Sequence, residues 1–302
     1  MNAYLSTFLK GLAMGAANVI PGVSGGTIAL ITGIYERLIN AIKSADLNAI
    51  KLLFKGDIKG FWERIDGSFL TAVFAGVGVS IFSLALLLKF LLANYELYTM
   101  AFFFGLILIS VVSVGRTVDK WDAGSIVSLI IGTAIAAGIA LLAHAEPNDA
   151  FWYIFICGIV AVCSMILPGL SGSFILLIMG NYALVLTAIS GVQINILIPL
   201  FLGCVVGLVA FSQLLSWVLA KYKDQTISMM TGFVLGSLLT IWPWKNTVMK
   251  QLAEVDKEVV DHYEWYFPDF GLTETYIGIA LIVAGVLVIY AIEKLAANET
   301  AA

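Results

Sequence analysis

The chain has 302 residues, 61% of them hydrophobic and only 12% charged, with a mean hydropathy of +0.99. So few polar residues cannot clothe a water-soluble domain, which leaves an all-α polytopic membrane protein as the fold class. A formal charge of -4 with no basic block gives no support for a nucleic-acid partner.

The first apolar run lacks a basic leader and its pattern recurs at residue 155, so it reads as part of the fold rather than as a signal peptide. It carries one cation, Lys10, and is then broken by Asn18-Val19-Ile20-Pro21-Gly22-Val23-Ser24-Gly25-Gly26-Thr27. Proline removes a backbone donor and glycine permits sharply turned backbone, so Pro21 and Gly22 should halt one helix and let another begin. Ser24 then stands where an N-cap belongs, and the N–H groups of Gly25, Gly26 and Thr27 form a helix start able to receive an anion. Asn18 and Thr27 can coordinate an ion or cap backbone. Glu36 and Arg37 follow at the end of this segment, where a carboxylate can carry a coupling proton at a cavity mouth or form a solvated interfacial pair.

Residues 46–66 read as an interfacial helix at the inner membrane surface: Leu47, Ile50, Leu53, Phe54, Phe61, Trp62 and Ile65 form an apolar stripe, with Lys51, Lys55, Lys59 and Arg64 off it. Three spans are expected next, at about 68–93, 96–115 and 124–144, since roughly 20 apolar residues cross the hydrocarbon.

The chain then repeats itself. At a shift of 147, residues 8–42 match 155–189 at 13 of 35 positions, and the second break reads Met165-Ile166-Leu167-Pro168-Gly169-Leu170-Ser171-Gly172-Ser173-Phe174. At a shift of 127, residues 70–110 match 197–237 at 13 of 41 positions. A weaker shift near 146 pairs 124–144 with 270–290 by hydropathy. Two halves follow, 1–146 and 147–302, each a re-entrant hairpin plus about three spans, the second half with spans near 197–219, 227–242 and 275–292 and an external loop at about 243–274. An odd number of crossings per half makes the halves inverted. With both termini cytoplasmic, most Lys and Arg fall inside, as the positive-inside rule asks.

Inverted hairpins bring Ser24-Gly25-Gly26-Thr27 and Ser171-Gly172-Ser173 together near mid-membrane from opposite sides. Lys10, about 12 Å along a helix from Asn18, can snorkel to the inner interface or reach toward the tip and partly neutralise an anionic headgroup there. Gly22-Val23-Ser24-Gly25-Gly26 also fits a nucleophile elbow, yet the histidines, His144 and His262, are not repeated as the serine is. Cys157, Cys163 and Cys204 have no metal-ligand spacing and read as small apolar residues. No metal or cofactor is expected.

Asn18 to Thr27, followed by Gly33-Ile34-Tyr35-Glu36-Arg37-Leu38-Ile39 and echoed by Leu167 to Ser173, resembles the polyprenyl-phosphate transporter (PopT) family, formerly domain of unknown function 368. The resemblance implies a flippase that returns undecaprenyl phosphate, the lipid carrier of cell-wall precursors, from the outer to the inner leaflet of the bacterial plasma membrane. It leaves a carrier of small anions and an intramembrane hydrolase as the other readings of the residues.

Overall fold

The computed structural model describes residues 3–19, 24–142, 145–252 and 257–300. Pro21, Gly22 and His144 lie outside the described residues, and the side chain of His262 does too. The elements in chain order are α1 (Ala3–Val19), α2 (Gly25–Ile31), α3 (Tyr35–Ser44), α4 (Leu47–Phe54), α5 (Ile58–Arg64), α6 (Gly67–Asn94), α7 (Glu96–Gly115), α8 (Ala123–Leu141), α9 (Phe151–Ile166), α10 (Gly172–Ile178), α11 (Tyr182–Ser190), α12 (Ile194–Lys221), α13 (Lys223–Ser237), β1 (Lys245–Leu252), β2 (Lys257–Trp265) and α14 (Thr273–Thr300). Among the described residues, four helices are long and apolar enough to cross a membrane: α7, α8, α12 and the first nineteen residues of α14. The expected spans fall on α6, α7, α8, α12, α13 and α14.

The second break ends α9 at Ile166, just before Pro168 and Gly169, as predicted, and the first shows extended backbone at Ser24 before α2. The returning limb is broken once more than expected, at Gly33 and Gly180, which stand 147 residues apart and both have positive φ, 72° and 74°. That left-handed turn is open to glycine at little cost. It divides the limb into α2 and α3 in one half and α10 and α11 in the other, the latter pair bent by 118°.

Helix packing rests on glycine. In the absence of a hydrophobic force between helices in lipid, close backbone approach supplies the contact energy. A Cβ on Gly11 or Gly76 would strike the carbonyl of Val73 or of Phe8 where α1 crosses α6, and one on Gly158 or Gly203 would strike that of Leu200 or of Phe155 where α9 crosses α12. These two crossings match position for position under the repeat. The other two join the halves: Gly105 of α7 meets Gly285 of α14, and Gly132 of α8 meets Gly232 of α13. The partners Gly132 and Gly285 correspond at a shift of 153, so the hydropathy match near 146 is corrected by seven residues, about two helical turns. An apolar run repeats too smoothly to fix its own register.

The two ends of the bundle differ in charge. At one, the α7–α8 connection meets the start of α13, where Asp119 pairs with Lys223 at 3.6 Å, and Lys43 donates to Ser216 Oγ at 3.0 Å. This basic end also holds Arg37, Arg64, Arg116, Lys120 and Lys221. The interfacial segment is here, as two helices rather than one, because Gly56 (φ 74°) turns the chain and Asp46 and Asp57 cap separate starts. Phe54 and Ile58 are 89% and 68% exposed, an apolar edge beside Lys55 and Lys59. At the opposite end the expected loop contains an antiparallel β-hairpin, β1 with β2. Lys245 anchors it over the Tyr263 ring at 4.0 Å, and burial there pushes its ammonium down to about 8.

One helix tests the packing rule against itself. Gly132→Ala should destabilise the detergent-solubilised protein by about 1–3 kcal/mol through overpacking. Gly138→Ala, six residues on with open space at its Cβ position, should gain about 1 kcal/mol from helix propensity. Thermal unfolding reads both, and equal effects would contradict the close crossing.

Candidate functional site

The two breaks meet and complete each other's hydrogen bonding. Ser24 is the N-cap of α2 with extended backbone (φ −112°, ψ 137°), and its Oγ accepts from Gly26 N at 3.1 Å. Asn18 Oδ1 accepts from Gly25 N at 2.7 Å. Two of the N–H groups at the start of α2 are therefore satisfied by side chains of the same segment. The second segment lies directly against them: Ser24 Oγ is 3.5 Å from both the Met165 and Leu167 carbonyl oxygens, and a Cβ on Gly26 would come 2.9 Å from that of Ile166.

Two buried bonds cross between the halves. Gly169 N donates to Thr27 Oγ1 at 2.9 Å, and Tyr35 Oη donates to the Ile166 carbonyl at 2.9 Å. Thr27 and Tyr35 are 1% and 2% exposed. Gly169 has φ 81° and its amide faces the first segment because Leu167 leaves the helix in extended conformation. The tyrosine repeat, Tyr35 and Tyr182, was visible in the sequence only as an identity; its role depends on a carbonyl 131 residues away.

The second break is not a copy of the first. Ser171, the repeat counterpart of Ser24, occupies the N-cap position of α10, but its Oγ makes no capping bond and instead pairs with Ser173 Oγ at 2.9 Å. Ser173 is exposed and Ser171 half-buried, while Ser24 is 3% exposed. Gly172 is buried, with the Ala161 carbonyl 2.8 Å from its Cβ position. Ser171 faces a crevice also lined by Gly169, Phe174, Ala136, Ser237 and Thr240. Its volume is about 10 Å³, room for a single water-sized group. Ser237 and Thr240, toward the hairpin end of α13, are polar lining residues that composition gave no reason to select.

Lys10 is corrected. Its Nζ donates to the Thr32 carbonyl at 2.9 Å, at the C-terminal end of α2 rather than the tip. Seven helical residues, about 10 Å, separate it from Ser24, and a cation belongs at that negative end of the dipole. The matching carbonyl of the second half, Met179, accepts from Tyr153 Oη at 2.8 Å. Each half thus caps the end of its short helix, with an ammonium in one and a phenol in the other. Arg37 is not paired with Glu36: it makes a double hydrogen bond to Asp66, 2.6 and 3.1 Å, and lies 4.3 Å over the Phe69 ring. Glu36 lines a separate cavity of about 340 Å³ at the basic end with Asn40, Ser216 and Lys223. Among the described residues, the elbow serine's Oγ meets backbone groups: Gly26 N and the two carbonyls.

The class of protein defined by these features is a polytopic helical membrane protein whose two interrupted segments dock in the bundle interior. Residues 14–259 match the family described as VCA0040-like, undecaprenyl phosphate translocase-like, and the chain belongs to that family. It is 41% identical over 299 residues to a polyprenyl-phosphate transporter of Vibrio cholerae, covering 97% of each chain. It is 33% identical over 254 residues to a polyprenyl-phosphate transporter of Staphylococcus aureus, covering 78% of this chain and 85% of that one. No solved structure matches.

Three substitutions separate the roles at the tips. Thr27→Val should cost about 1–3 kcal/mol by orphaning the buried Gly169 amide. Ser24→Ala should cost about 0.5–2 kcal/mol as a lost cap, while Ser171→Ala should leave stability within about 0.5 kcal/mol. Unfolding in detergent checks the order, and a Ser171 effect equal to that of Ser24 would refute the asymmetry.

Proposed function

We propose that this chain transports a polyprenyl phosphate across the bacterial plasma membrane, returning undecaprenyl phosphate from the outer to the inner leaflet. The relatives that match nearly full length carry polyprenyl-phosphate transporter as their name. The observation that carries the mechanism is the unequal state of the two breaks: the first is sealed beneath the second, and the second faces a crevice at the hairpin end. Once that crevice widens beyond the water-sized space it has here, a phosphate monoester with between one and two negative charges is received by the Ser171 and Ser173 hydroxyls and the N–H groups of Gly172 and Ser173. It is passed to Ser24, Gly25, Gly26 and Thr27 once the tips part. Pro168 and Gly169 hold the second break as non-helical backbone, a part that proline and glycine suit Pro21 and Gly22 to play in the first, and Asn18, in the last turn of α1, holds the start of α2 through the Gly25 amide.

The halves are inverted repeats in this reading. The repeat aligns α7 with α13. Residues 129 and 133 of α8 meet 232 and 236 of α13 in the same order, so α8 and α13 run parallel, whereas α7 and α8 run opposite ways through a short turn. Aligned helices that run oppositely support inversion, and the basic end fits the cytoplasmic side. Glu36, at that end, is the candidate for a coupling proton, and α4 with α5 lies on the inner surface. Lys10 acts as a cap rather than as a phosphate ligand.

Proteoliposomes loaded with undecaprenyl phosphate in one leaflet test the function. The purified protein should speed its appearance in the other leaflet. Ser171→Ala with Ser173→Ala should slow that about tenfold, the worth of about 1.4 kcal/mol, with folding retained. In intact cells, cysteines at Asn246 and Lys223 of a cysteine-free variant should label from opposite sides with an impermeant reagent, the Lys223 position from the cytoplasm. No acceleration over empty vesicles would refute transport, and labelling of both cysteines from one side would refute the inverted topology.

A further inference from the structure

We propose that the cleft between α7, α8 and α13 at the basic end is a lateral binding groove for the polyprenyl phosphate in the inner leaflet, with Arg116 taking the phosphate and Val111, Val112, Leu129 and Leu235 the start of the tail. The inference deepens the transport reading above and rests on it. The chain has three arginines. Arg37 is locked to Asp66 and Arg64 to Asp46 at 2.7 Å. Arg116 is exposed and, among the described residues, makes neither an ion pair nor a side-chain hydrogen bond. A guanidinium left open matches a phosphate by charge and by its forked donors.

The position of Arg116 gives the second argument. It is the C-cap of α7, at the mouth of a cavity of about 320 Å³ whose other walls are Val111, Val112, Leu129, Leu235, Gly115 and Trp121, with Thr231 at its base. The lipid face of any membrane helix is apolar, so apolarity alone would mean nothing here. What distinguishes this place is a concavity whose apolar lining is joined by an unpaired cation and a tryptophan where α7 ends, the arrangement that suits an amphiphile with one anionic head. The Trp121 ring closes on Gly115, 3.6 Å from the position a Cβ would take there. The neighbouring carboxylates are occupied: Asp224 accepts from the amides of Asp119 and Lys120, 3.0 and 3.2 Å, Asp122 caps α8 through Ser125 N at 2.7 Å, and Asp119 faces Lys223. These bonds fix the connection that carries Arg116. Val111 and Leu235 also pack in one cluster with Ile28 of α2, so the groove backs onto the half-helix that follows the first break.

The test uses the full chain in nanodiscs with a photoactivatable polyprenyl phosphate, the labelled peptides being read by mass spectrometry. Label is expected in residues 111–129 and 231–235, competed by undecaprenyl phosphate and at least tenfold less well by undecaprenol or phosphatidic acid. Arg116→Gln should cut that label roughly tenfold or more while label at the second break persists, the loss being that of a charge-assisted hydrogen bond. Arg116→Lys should restore part of it. Val112→Trp, which fills the cleft, should abolish it without changing the unfolding temperature. Label in the groove that is indifferent to Arg116, or equally competed by phosphatidic acid, would overturn the inference. So would label confined to the hairpin tips, although transport would then stand. Absence of label anywhere in the wild-type chain would sink the transport reading itself.

Discussion

A backbone that leaves the helix inside a membrane must find hydrogen-bond partners in protein, because hydrocarbon offers none and each orphaned group costs several kcal/mol. This chain leaves the helix twice, and the two departures are each other's solution. The Gly169 amide is accepted by Thr27, and the carbonyl of Ile166 is met by Tyr35. Everything else in the bundle serves to bring those segments into register: glycine crossings set the helix spacing, and the positive-φ turns at Gly33 and Gly180 return each limb to its own end.

The contact is complementary because the halves are unequal. Had the second segment carried a threonine at 174 instead of phenylalanine, it too would offer the hydroxyl that Thr27 supplies to the junction. Phe174 instead lines the crevice beside Ser171, and the hydroxyl that completes the junction comes from one side only. The same divergence appears at the far ends of the short helices, where Lys10 and Tyr153 satisfy equivalent carbonyls by different chemistry. A pair of repeats with one geometry and two chemistries can seal one site while the other stays near the surface, as alternating access demands.

Much of this was legible in the sequence, and the limits are instructive. Pro-Gly-x-Ser-Gly inside an apolar run forces a break wherever the chain folds, and a run of twenty apolar residues has few alternatives to a span, so helices stand at all six expected spans and four of them, among the described residues, are long and apolar enough to cross. Partners across long separations were not legible: nothing local to Arg37 says that Asp66 rather than Glu36 will take it, and nothing local to Lys10 says which end of α2 it will cap. The β-hairpin was missed because its polar, charge-rich strands resemble an exposed loop in composition. Arg116 was legible only as one of the basic residues of the cytoplasmic face, since a lone arginine in a short turn between spans is what the positive-inside rule supplies anyway; its lack of a partner among the described residues sets it apart.

The central claim is that the tip-to-tip contact is the closed gate of a transporter and must part in every cycle. The direct measurement bridges it reversibly: cysteines placed at Ile28 and Leu167 of a cysteine-free variant, on either side of the Thr27–Gly169 bond, are joined by a short cleavable cross-linker. Leaflet-to-leaflet movement of undecaprenyl phosphate is then followed in proteoliposomes. The account predicts that movement stops on bridging and returns when the linker is cleaved. Movement at the unbridged rate with the tips held together would contradict it.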